Sequence, residues 1–113
     1  SAGQVNALTL WSPDNFNVTQ GADNLDAFDK TAATSNEAGM SNRKWCKTCG
    51  GHVYIDHPGM GLVDVPAVLI EGFAFNPGLH VHYQETVHPM HDGLPKFKDL
   101  PAEAGGSGEE LPE

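Results

Sequence analysis

An all-β, turn-rich fold with little helix is predicted by three observations. The 113 residues include 13 glycines and 8 prolines, which cut the chain into short pieces. Within those pieces apolar residues tend to alternate with polar ones, the period of a strand rather than a helix. The two cysteines of the chain, Cys46 and Cys49, stand two residues apart and are followed by Gly50-Gly51, the outline of a metal-binding turn between two strands.

Taken in order, residues 4–11 place Val5, Ala7, Thr9 and Trp11 on one face of an extended chain and Leu8 and Leu10 on the other, which predicts a central strand covered on both sides. Ser12 suits an N-cap and Pro13 a first helical position, so one helical turn is expected before Phe16. Residues 16–19 and 25–31 read as a hairpin, joined by the turn formers Gly21, Asp23 and Asn24. Residues 32–41 have neither period and read as a loop. Strands are then expected at 42–45 and 52–56 around the cysteine turn, with Pro58-Gly59-Met60-Gly61 closing the second. Residues 62–70 are apolar but interrupted by Pro66, which cannot donate to a ladder and marks an edge or a bulge. Residues 79–86 alternate cleanly, with Leu79, Val81 and Tyr83 on one face and His80, His82 and Gln84 on the other. Beyond Pro89 only 96–98 is expected to be extended.

The charge narrows the function classes. A formal charge of −9 makes neutralisation of several phosphates, and so nucleic-acid or anionic-membrane binding, unfavourable. Residues 103–113 carry four glutamates and no lysine or arginine, the composition of a solvated acidic tail. No apolar run approaches the roughly 20 residues of a membrane span. Two cysteines do not make a secreted disulfide framework, and a Cys-x-x-Cys pair in a reducing compartment is more often a metal or redox site, so a cytoplasmic address is expected.

Zinc is the metal that this spacing suggests, with Cys46 and Cys49 as two of its four ligands. His52, three residues beyond Cys49, is a third candidate, and a second copy of the chain across a two-fold axis is another source of thiolates. A free or disulfide-linked pair is the plain alternative. His80 and His82 share a predicted strand face, but read more simply as polar residues on an open sheet. Trp11, Trp45, Phe28, Phe73 and Phe75 are expected to be core.

Lys44-Trp45-Cys46-Lys47-Thr48-Cys49-Gly50-Gly51, Gly61-Leu62-Val63-Asp64-Val65, His80-Val81-His82 and Asp92-Gly93-Leu94-Pro95-Lys96-Phe97 occur in an order that resembles the glutathione-dependent formaldehyde-activating enzyme family, also called the centromere protein V fold family. The resemblance implies an Mss4-like sheet assembly spanning 1–100, shortened at its N-terminal side relative to the family, with 101–113 as an acidic tail. It implies a structural zinc held by Cys46, Cys49 and an upstream Cys-x-Cys pair, and a catalytic zinc held by further upstream cysteines. Neither upstream group occurs in these 113 residues. Met90 also departs from the pattern, standing where the family commonly has an aromatic.

For a complete member the implied chemistry is carbon–sulfur lyase chemistry: the reversible joining of a thiol such as glutathione to formaldehyde. This chain alone is expected to be inactive. The alternative is a non-enzymatic zinc-binding or oligomerising module on the same scaffold. A sheet edge left open by the missing segment predicts a homodimer or larger assembly.

Overall fold

The computed structural model describes residues 4–29 and 41–113. The loop expected over 32–41 therefore lies, apart from Ser41, outside the described residues. Five strands form: β1 (Leu8–Trp11), β2 (Leu25–Asp29), β3 (Asn42–Cys46), β4 (His52–His57) and β5 (Leu62–Pro66). They make one antiparallel sheet in the order β1-β5-β4-β3-β2, a meander from β2 to β5 with β1 added beside β5. The only helical pieces among the described residues are three-residue 3-10 turns, so the fold is β-rich as the composition predicts. No helix among the described residues is long and apolar enough to cross a membrane.

The chain divides into two compact units, the sheet unit Ala7–Phe73 and a second unit built on Ala74–Glu113 with residues 4–6. In the sheet unit, Ser12 caps the turn Pro13–Asn15 as expected, its side chain accepting from the Asp14 N–H. Gly61 takes φ +65 after Pro58–Met60 and turns the chain from β4 into β5. Core burial concentrates on β5, where Val63 is 3% and Val65 8% exposed. Burying each such side chain is worth roughly 1.5–3 kcal/mol.

Several expectations are corrected here. Residues 4–11 supply an edge strand and not a central one. The ladder starts only at Leu8, whose partner Pro66 has no N–H to give, and Leu10 is left 61% exposed. Residues 16–19 find no sheet partner and form no strand, while the strand expected over 25–31 is present over Leu25–Asp29, with 30–31 outside the described residues. Phe28, Phe73 and Phe75 are exposed and not core. Phe28 lies on the edge strand β2, and the two others fall in a stretch without regular structure.

The second unit corrects the strand expected over 79–86. Only His80 bridges, in parallel, to Lys96, and Tyr83–Glu85 is a 3-10 turn. The cause is visible in the backbone hydrogen bonds. The N–H groups of His82, Tyr83 and Gln84 donate to the carbonyls of Asp99, Phe97 and Lys98, so three successive donors converge on one short segment. An extended chain sends successive N–H groups to opposite sides, so this stretch curls, and His82 adopts a left-handed φ of +54. Residues 101–113 have a tail's composition, yet they fold back. Leu111 N–H donates to Lys96 O at 2.7 Å, Lys98 N–H to Glu109 O at 2.8 Å, and Phe97 bridges Glu110.

Candidate metal centre

The cysteine turn joins β3 to β4, and its backbone explains both glycines. Cys46 N–H donates to Gly51 O at 2.9 Å and Gly50 N–H returns to Cys46 O at 2.8 Å, closing a tight loop. Gly50 sits at φ +75, where a side chain would be strained. A Cβ on Gly51 would lie 3.2 Å from the Cys49 sulfur, so the second glycine keeps room beside the thiol.

The same loop aims hydrogen-bond donors at sulfur. The Cys49 N–H, the Thr48 N–H and the Cys49 thiol all point at the Cys46 sulfur and lower its pKa below that of a free thiol. Gly51 N–H donates to the Cys49 sulfur at 3.4 Å. The turn Ala22–Asn24 supports the arrangement from below β2. Asn24 Nδ2 donates to Cys46 Sγ at 3.6 Å and to Thr48 Oγ1 at 2.9 Å, while Asn24 O accepts from Lys47 N–H at 2.9 Å. Both cysteines are free, Cys46 half-buried and Cys49 exposed.

His52 is placed differently. The β3–β4 register pairs Trp45 with His52 and Lys44 with Tyr54, so Val53 is bulged and His52 shares the face of Trp45, the neighbour of Cys46 on the opposite face. Burial, with the Arg43 charge beside it, lowers the His52 pKa and keeps the imidazole neutral. Among the described residues no three His, Cys, Asp or Glu side chains converge to hold a metal. The residues present thus fit half of a tetrahedral zinc site: two thiols on one loop, with donors at the Cys46 sulfur that stabilise its anionic form.

Two polar clusters escaped the sequence reading. Register places Leu10, Asp64, Ile55, Arg43 and Phe28 in one row across the sheet. Asp64 Oδ2 lies 3.5 Å from His57 Nε2, while Asp64 Oδ1 and Arg43 Nε are buried without a hydrogen-bond partner. Burial raises the Asp64 pKa, with His57 pulling in the other direction.

The second cluster lies in Ala74–Glu113 and is built on Lys96, whose side chain is 1% exposed. Its ammonium donates to Asp92 Oδ1 at 2.7 Å and Leu94 O at 2.8 Å, with Glu113 Oε1 at 3.4 Å. The His80 ring donates to Asp92 Oδ2 at 2.7 Å. Hydrogen bonds from Lys96 first and His80 second hold the Asp92 carboxyl far below the usual range. Burial works against the Lys96 charge, but Asp92 and Glu113 outweigh it and raise the lysine pKa. The one signal in the sequence was the i, i+4 spacing of Asp92 and Lys96. All three lysine donors are engaged, so the cluster reads as a structural clasp.

No protein-family model, no characterised protein and no solved structure matches this chain.

Proposed function

We propose that this chain is the Mss4-like scaffold of a protein of the glutathione-dependent formaldehyde-activating type, in which Cys46 and Cys49 provide two thiolates to a structural zinc. The observation that carries the proposal is the set of donors from Cys49 N–H, Thr48 N–H and Asn24 Nδ2 directed at the Cys46 sulfur. Such donors favour the thiolate form that zinc requires and leave sulfur lone pairs for the metal. The other two ligands come from a second copy of the chain, which completes a set of four thiolates. A reducing compartment such as the cytoplasm suits two free thiols.

In this reading zinc at the knuckle fixes the β3–β4 turn. Carbon–sulfur lyase chemistry on a thiol adduct of formaldehyde needs a second zinc with an open position, and these 113 residues hold no further cysteines for it. The non-enzymatic zinc-binding module remains the alternative for the chain by itself.

Cobalt titration in reducing buffer tests the site. Thiolate-to-cobalt charge-transfer absorption should rise to saturation in the wild-type chain and vanish in Cys46→Ser and in Cys49→Ser. Absence of that absorption at a stoichiometric excess of metal would sink the proposal. Mixed with glutathione and formaldehyde, the chain should leave adduct formation at its spontaneous rate. Zinc-dependent acceleration would show that these residues do more than scaffold.

A further inference from the structure

Beyond the knuckle, the sheet unit contains an open cleft of about 570 Å³, within the range of small-molecule sites. None of the residues from Cys46 to Gly51 lines it. Its walls are Trp11 at the end of β1, Val65 of β5, and Phe16 and Ile70. Phe16 and Ile70 each close a 3-10 turn, their N–H groups donating to Pro13 O and Ala67 O, so two short turns fix the backbone of these two lining residues.

We infer that this cleft binds a small organic cation with an aromatic or apolar body, of the arylalkylamine class. Three features carry this. First, each aromatic residue of the lining has a ring partner that does not line the cleft: Phe73 meets Trp11 edge-on at 6.0 Å between ring centroids, and Tyr54 meets Phe16 at 4.8 Å. The Trp11 indole N–H is already committed to Thr9 Oγ1 at 2.7 Å, so Trp11 offers its ring rather than a donor. Rings pinned in this way are preorganised to take a flat apolar group or a cation over their faces.

Second, Glu71 is the one charged side chain among the described residues that line the cleft, and no lysine, arginine or histidine accompanies it there. An ammonium group would meet a carboxylate and aromatic faces. A carboxylate ligand would meet Glu71 with no compensating cation, in a chain of formal charge −9. Third, Asn15, Asn17 and Gln20 add neutral amide groups to the lining, which suit the N–H donors of an amine. The chemistry therefore selects against anionic thiol adducts, and this site is independent of the zinc proposal.

The test is a titration of the full 113-residue chain, observed by amide NMR, with three probes of one shape: phenethylammonium, phenethyl alcohol and 3-phenylpropionate. Phenethylammonium should give saturable shifts confined to amides near 15–20 and 69–71. The alcohol should bind more weakly and the carboxylate should not bind. Glu71→Gln should weaken the amine roughly fivefold while leaving the sheet resonances in place. Trp11→Phe, which keeps a ring in the wall, should retain part of the binding. Equal binding of the amine and the carboxylate, saturable shifts located elsewhere, or no saturable shift with the amine would each overturn the inference.

Discussion

In Ala7–Phe73 the strands are joined by four antiparallel pairings, and among the described residues of that unit the buried side chains are Val63 and Val65. In Ala74–Glu113 the ladder shrinks to two isolated bridges, and the most buried side chain is a lysine held by carboxylates. Apolar burial is indifferent to pH, whereas the Asp92–Lys96 ion pair is present only while both members carry charge. One chain thus joins a unit held by sheet and valines to one held by polar side chains and close backbone contacts, and conditions that spare the first should loosen the second.

The sharpest way to break the second unit is through its backbone. A Cβ on Gly106 would lie against the Leu100 carbonyl, so Gly106→Ala should cost about 3 kcal/mol, as overpacking does. Gly78→Ala in the same unit, with open space around it, should change little. Native-state amide hydrogen exchange distinguishes the units: protection should fall at His82, Lys98 and Leu111 and persist at Ile55 and Val63.

Acid should come next. Asp92 is held low by Lys96 and His80, and Asp99 by the Ser107 N–H first, then the Ser107 hydroxyl and the Leu100 N–H. Both folded-state values lie below the ordinary carboxylate value of about 3.9, so their contribution is present above that pH and is lost as the pH falls through the lowered values. Asp64 has the opposite sign. Its pKa is raised by burial, so its contribution is present below the ordinary value and lost as pH rises through the raised one. Acidification from neutrality should therefore reduce exchange protection in the second unit first. Asp92→Asn should weaken that unit at neutral pH and flatten its acid dependence.

The smallest effect concerns the sheet. Asp64→Asn removes a buried carboxylate that has one oxygen without a partner, and should stabilise the sheet unit at neutral pH by about 1 kcal/mol. The gain should vanish in acid, where wild-type Asp64 is itself neutral. A loss of stability at pH 7, measured by urea denaturation, would mean that the His57 contact outweighs burial.

How much of this was legible in the sequence depends on where the determining partner lies. The β3–β4 hairpin, the Ser12 cap and the turn ending at Gly61 were readable because their causes are local: cysteine spacing, a proline after a serine, a glycine at positive φ. The alternating run 79–86 misled because its N–H groups are claimed by a segment more than a dozen residues away. The exposed Phe28 shows the same limit, since burial on an edge strand depends on neighbours that periodicity does not reveal. At the candidate site the two thiols were legible and Asn24 was not, because it reaches Cys46 across the β2–β3 pairing. The cleft left no mark in the sequence, for its walls come from three separate stretches of chain.

The measurement that bears most directly on the central claim is zinc content combined with native mass for the 113-residue chain purified under reducing conditions. One zinc per two chains, a dimeric mass, and loss of both metal and dimer when Cys46 or Cys49 is replaced by serine are expected. A metal-free chain with a monomeric mass at every concentration, after purification with zinc present, would contradict the claim.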